Sequence, residues 1–221
     1  MSPEILNLIV SATVDTLRMV AIATTLGTVG GLPLGVFLAT SRRGELLASP
    51  RLNAALSLLV NATRSTPFII LVVAIIPFTR LVVGTSIGTY AAIVPLTVAA
   101  LPFIARLVEA SVREVDPGLV EAARGMGATP LQIIRKVLLA EALPSIVLSL
   151  TLAVVSLIGF SAMVGTVGGG GLGDLGIRFG YQRFMPDVMA AVVVVLILLV
   201  QAIQSFGDRL ARRLNRRLRR D

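Results

Sequence analysis

The chain has 221 residues, 55% of them hydrophobic, a formal net charge of +8 and a mean hydropathy of +0.90. A soluble domain of this size needs far more polar surface, so the composition specifies an integral membrane protein. Cysteine and histidine are both absent, which excludes disulfides, thiol nucleophiles, Cys/His zinc sites and imidazole acid–base chemistry; no metal site is expected.

The N-terminus, MSPEILNLIV, has no basic n-region and no small-residue cleavage site, so a cleaved signal peptide is not expected. Crossing a hydrocarbon core of about 30 Å takes about 20 apolar residues. Segments 19–40, 56–79, 85–107, 143–167 and 187–207 meet that requirement. The expectation is an all-α, polytopic membrane protein with five transmembrane helices, forming a single transmembrane domain over residues 1–221.

Basic residues assign the sides. Arg42, Arg43 and Arg51 follow the first span; Arg106, Arg113, Arg124, Arg135 and Lys136 lie between the third and fourth; Arg209, Arg212, Arg213, Arg216, Arg217, Arg219 and Arg220 follow the fifth. With five spans these regions share one side, and the positive-inside rule makes it the cytoplasm, with the N-terminus outside. The C-terminal run places Leu210, Leu214 and Leu218 at helical spacing among the arginines. It reads as an amphipathic helix on anionic lipid rather than a contact for a soluble partner protein or a nucleic acid.

Gly27, Gly31 and Gly35 share one helix face, where small residues let two helices approach closely, within one subunit or between two. Pro33, Pro67, Pro77, Pro95 and Pro102 fall inside spans, each removing a helix hydrogen bond. Arg64 lies within the second span, either snorkelling to the interface, or turned into the bundle or tying down neighbouring backbone. No Asp, Glu or Lys occupies the middle of a span. Proton relays and many ion-coupled sites need such groups, so uphill transport draws its energy elsewhere. An intramembrane enzyme has almost no catalytic groups to work with.

Residues 116–140 interrupt this pattern on the basic side. Asp116 before Pro117 is a helix start, with an N-cap carboxylate and proline at the first helical position. Gly125 and Gly127 end that helix. Thr129 and Gln132 form a capping box around Pro130 that restarts the chain. Ile133, Ile134, Val137 and Leu138 then give the second helix one apolar face. Ala122 and Ala123 leave a flat patch on the first helix. The pattern fits a connector lying against lipid headgroups and a docking surface for a soluble protein equally well.

Glu121-Ala122-Ala123, three residues and then Gly127 resembles the EAA signature of ABC-importer permeases. RSTPFII (64–70), VGTSIG (83–88), AAIVPLT (91–97), PFIAR (102–106), GATPLQIIRKVLL (127–139), SAM (161–163) and GGGLG (169–173) are similar to the methionine-importer permease type. The resemblance spans nearly the whole chain. It implies a cytoplasmic coupling helix, with Glu121, Ala122, Ala123, Arg124, Gly125, Met126, Gly127 and Ala128 meeting an ATPase. Glu121 would pair with a basic group or cap the loop, the two alanines would permit close approach and Gly127 would permit the turn. The family pattern places a proline where this chain has Ala140, with Pro144 four residues later, so the join to the fourth span is expected nearer Pro144.

The same resemblance implies a permease in the bacterial inner membrane that takes up methionine, L- and D-, or another small amino acid. It implies a homodimer, two copies of a cytoplasmic ABC ATPase, an external substrate-binding lipoprotein and contact with lipid, but no nucleic acid. The chain has no Gly-rich loop with Lys and Ser/Thr to cradle phosphate, so ATP and Mg are expected on the ATPase and none of this chain's residues is expected to be catalytic. A non-transporting scaffold using the same loop is the alternative. Phe160, Ser161 and Met163 are candidates for a gate on the translocation path, with Gly168 to Gly173 either letting the following loop re-pack or forming a plain exposed turn.

Overall fold

The computed structural model describes residues 3–218, with side chains through Asn215; Arg219, Arg220 and the side chains of Arg216, Arg217 and Leu218, part of the basic C-terminal run, lie outside the described residues. No strand occurs among the described residues. Among the described residues four helices are long and apolar enough to cross a membrane, or five if one bent pair counts as a span.

Helix α1 runs over Pro3–Thr40. At 1.5 Å per residue its 38 residues extend about 57 Å, well beyond the hydrocarbon thickness. The span expected at 19–40 is therefore only the second half of a longer helix. Asp15 and Arg18 end the apolar run, but charged side chains do not stop a helix, and Pro33 is accommodated inside it.

The segment expected as one span at 56–79 is broken. Helix α2 (Pro50–Ser65) and α3 (Phe68–Ala74) meet at an angle of 101°. The cause is Pro67, which pushes Thr66 out of the helical region to φ −80°, ψ 125°. A further short helix, α4 (Ile76–Val83), closes on Gly84 in the left-handed conformation.

Helix α5 (Thr89–Arg113) is the centre of the fold. Ala92, Leu96, Ala100, Ile104 and Val108 form a buried stripe at four-residue spacing. It lies parallel to α1: Gly27 meets Ala100, Gly31 meets Leu101 and Ile104, and Gly35 meets Ala105 and Val108. A Cβ on Gly35 would sit 2.4 Å from the Ala105 carbonyl oxygen. The glycine face thus serves packing within this chain.

Helix α6 (Pro117–Gly125) follows a short turn. The next helix begins at Pro130 and continues to Gly165, as α7 (Pro130–Ile133), a π turn over Ile134–Leu138 and α8 (Leu139–Gly165). The irregularity between the connecting loop and the long helix is this π turn; Pro144 lies inside α8. The expected join near Pro144 is displaced towards the start of the helix.

Helix α9 (Gly171–Leu175) leads through a second π segment, Gly176–Tyr181, to α10 (Pro186–Leu218). Gly207 lets α10 cross α8 closely, since a Cβ there would lie 2.0 Å from the Thr151 hydroxyl. Val193, Val194, Ile197 and Leu198 remain exposed on the outer side of α10, as expected for a helix facing an apolar medium.

Candidate functional site

The turn between α5 and α7 is built from local signals. The Asp116 carboxylate accepts the Gly118 N–H at 2.8 Å and caps α6. At the other end the N–H groups of Met126, Gly127 and Ala128 donate to the carbonyls of Ala122, Arg124 and Ala123 at 3.1, 2.9 and 3.1 Å. Gly127 sits at φ +78°, which a side chain would disfavour. The Thr129 N–H donates to Gln132 at 2.8 Å, completing the capping box that starts α7.

Helix α6 has two faces with different surroundings. Ala123 is only 4% exposed and joins the protein's own core together with Val115 and Ile133. Leu119 is 43% and Met126 82% exposed; with Ala122 they form one outward stripe at three- and four-residue spacing. The expectation that Ala122 and Ala123 together form an outward patch is corrected: adjacent helical residues point about 100° apart, so only Ala122 looks out. Glu121 and Arg124 are exposed, and neither side chain has a hydrogen bond or ion pair among the described residues. Both border a cleft of about 310 Å³ between α6 and the ends of α1 and α5, where Glu45 and Arg113 also sit.

Close to that cleft is an ion-pair hub that the sequence reading missed. Glu109 is buried, and Arg42 reaches its Oε1 at 3.0 Å, Arg113 reaches Oε1 at 3.8 Å and Arg106 bonds Oε2. Arg106 also donates to Asn61 Oδ1 at 2.8 Å. Through Arg42 and Arg106 this carboxylate ties the turn after α1 and the C-terminal part of α2 to the end of α5. The signal in the sequence is arginine three residues before and four after Glu109, a spacing that faces both towards it on a helix.

A second cavity, also about 310 Å³, lies at the α2–α3 break and is lined by Arg64, Thr66, Phe68, Leu71, Phe103 and Phe160 among others. Phe160 stacks on Phe68 with centroids 4.5 Å apart. The Arg64 guanidinium stands 6.0 Å over the Phe103 ring, so it turns towards the bundle. The other two gate candidates are not brought here. Ser161 is buried and its hydroxyl donates to Ile158 of its own helix at 2.7 Å. Met163 is 47% exposed and does not line this cavity.

The glycine run after α8 is a tight junction rather than a loose or exposed turn. Gly168, Gly170 and Gly171 have φ of +83°, +78° and +73°. A Cβ on Gly165 would lie 2.3 Å from the Asp174 nitrogen, and one on Gly171 would lie 2.6 Å from the Thr16 hydroxyl. The Leu172 N–H donates to that same hydroxyl at 2.9 Å. This packing pins α9 against α1 and leaves the run little room to rearrange by itself.

Comparison with known proteins gives consistent results. A probable D-methionine transport system permease protein MetI from Vibrio cholerae is 59% identical over 211 residues, 96% of this chain and 94% of that one. The D-methionine transport system permease protein MetI of Escherichia coli K12 is 53% identical over 165 residues, 75% and 76% of the two chains. A solved chain of the MetNI methionine ABC transporter in inward facing conformations matches with a TM-score of 0.95 at 51% identity, covering 97% of this chain and 99% of that chain. A chain from an amino acid ABC transporter shares the fold, with a TM-score of 0.76 at 21% identity, over 94% of each chain. Residues 31–220 match the family profile described as the binding-protein-dependent transport system inner membrane component, and the chain belongs to that family.

Proposed function

We propose that this chain, acting as one permease domain over residues 1–221, is the membrane subunit of an ATP-driven importer that brings methionine into the cytoplasm, in its L- and D-forms. Two copies form the path, two ABC ATPase subunits bind below it, and an external binding protein delivers substrate. ATP and Mg belong to the ATPase. The names of the relatives and of the MetNI neighbour support the substrate. The positive-inside rule supports a cytoplasmic C-terminus and an external N-terminus.

The observation that carries the coupling role is the outward stripe Leu119, Ala122 and Met126, exposed beside unpaired Glu121 and Arg124. It offers an apolar contact flanked by both charge signs, which suits a protein cleft better than an anionic lipid surface. Closure of the ATPase pair pushes α6. The bond from Ala128 to Ala123 passes the push to α7 and through the π turn to α8. Helix α8 carries Phe160 into the second cavity, so movement at one end changes packing along the path. Phe160, together with Met163 on the same helix, contributes to the gate.

The direct test is uptake of labelled methionine into proteoliposomes holding the permease, the ATPase and the binding protein. ATP-dependent accumulation is expected. Full assembly with substrate-independent ATP hydrolysis and no accumulation would replace transport by a scaffold role.

A further inference from the structure

The cavity at the α2–α3 break also holds an arginine that the coupling mechanism does not use. Arg64 lines it, is exposed, and has no hydrogen bond or ion pair among the described residues. Its guanidinium keeps five donors in a planar fork suited to a carboxylate. Among the described residues no Asp or Glu lines the cavity, so none of them neutralises that charge within it. The surrounding walls are Phe68, Leu71, Ala99, Phe103 and Phe160. A cation unpaired over an apolar pocket is held ready for an anion that also carries apolar surface.

The neighbouring hydroxyls add a second requirement. Thr63 donates to the Leu59 carbonyl at 3.0 Å and Thr66 to the Ala62 carbonyl at 3.3 Å. Their single protons are committed, so towards the cavity these oxygens present only lone pairs. They can accept from an ammonium and cannot donate to a carboxylate. The backbone break at Pro67 lines the same space, and interrupted helices at membrane depth are tolerated where they border a cavity. At about 310 Å³ the cavity is near the lower end of the usual range of about 300–1,000 Å³ for small-molecule sites.

We infer that this cavity is a transit site for a zwitterionic α-amino acid with an apolar side chain. Arg64 takes the carboxylate, the Thr63 and Thr66 oxygens accept from the ammonium, and the side chain lies among Phe68, Phe103 and Phe160. The site rests on the transport reading above and adds a contact that selects against substrates without a free carboxylate. Because Phe160 belongs to α8 and Arg64 to α2, relative movement of those helices opens or closes the site.

The chain has no cysteine, so Ala99→Cys supplies a single reporter thiol on the cavity wall. Its alkylation is followed in the permease–ATPase complex in lipid nanodiscs, without the external binding protein. L-Methionine should slow labelling in a concentration-dependent way, and methioninamide, which keeps the ammonium but lacks the carboxylate, should not. Adding Arg64→Gln should raise the half-protecting methionine concentration by roughly tenfold or more, the loss expected for a charge-assisted hydrogen bond. Arg64→Lys should recover part of it. No protection by methionine, equal protection by methioninamide, or an unchanged half-protecting concentration in folded Arg64→Gln would each overturn the site. The methioninamide comparison needs no Arg64 variant, and intact ATP-driven uptake beside any of these results would leave the transport reading standing while removing the site.

Discussion

The carbonyl of Ala123 accepts the N–H of Ala128 at 3.1 Å, and Ala123 itself is packed in the core with Ile133 of the following helix. Helix α6 is therefore joined to α7 by a backbone bond and by shared apolar packing. A force on its outer stripe has a short route into the 36-residue helix Pro130–Gly165. In the proposed coupling role, α6 has an inner bearing at Ala123 and an outer contact at Ala122.

The inner bearing predicts a stability phenotype in the permease alone. Ala123→Leu forces a larger side chain into a filled space, and overpacking of this kind costs about 1–3 kcal/mol. Thermal unfolding of the isolated permease in detergent should show a lowered midpoint before any ATPase is added. An unchanged midpoint would mean that Ala123 is not packed inside.

The α1–α5 contact predicts a sharp difference between two glycines. Gly35→Ala brings a Cβ within 2.4 Å of the Ala105 oxygen and 2.8 Å of the Val108 Cβ, so it should destabilise by about 1–3 kcal/mol. Gly159→Ala has nothing within 4 Å of the new methyl and should be neutral or stabilising by up to about 1 kcal/mol, because alanine favours a helix interior. Paired unfolding curves in one detergent check both.

Glu109 holds Arg106 and Arg113 of its own helix and Arg42 just past the end of α1. Those arginines reach water, which weakens each pair, so Glu109→Ala should cost about 1–3 kcal/mol, the range for lost charge-assisted hydrogen bonds. Arg42 and Asn61 should then become more mobile relative to α5. Limited proteolysis between α1 and α2 should be faster in the variant.

Much of this architecture was legible in the chain, and the parts that were not have physical reasons. Capping chemistry is local, so Asp116, Pro117, Thr129 and Gln132 announce their turns in sequence. Hydrophobic runs located the apolar segments, but they misplaced the start of α1 because hydropathy senses solvation and not backbone continuity through Asp15 and Arg18. They also merged α2 and α3, although Pro67 carried the signal for a break. Which way Ala122 and Ala123 face depends on where α5 lies, a tertiary fact. The packing of Gly165, Gly168 and Gly171 depends likewise on α1 and α9 arriving at the same place.

The gate proposal predicts state-dependent exposure at one position. A cysteine in place of Met163, which is 47% exposed on α8, should react with a water-soluble thiol reagent at different rates in the nucleotide-free and ATP-trapped complexes. Equal rates in both states would remove Met163 from the gate.

The coupling claim is tested most directly by Ala122→Arg, assayed for ATP hydrolysis and methionine uptake in the same proteoliposomes. The substitution adds bulk and charge to the outer stripe and leaves Ala123 in place. The isolated variant should unfold within about 1 kcal/mol of the parent, as surface substitutions generally do. Its uptake should fall by roughly tenfold or more, the equivalent of about 1.4 kcal/mol at the contact, and substrate-stimulated ATP hydrolysis should fall with it. Normal uptake with normal stimulation in a properly assembled Ala122→Arg complex would contradict the lever.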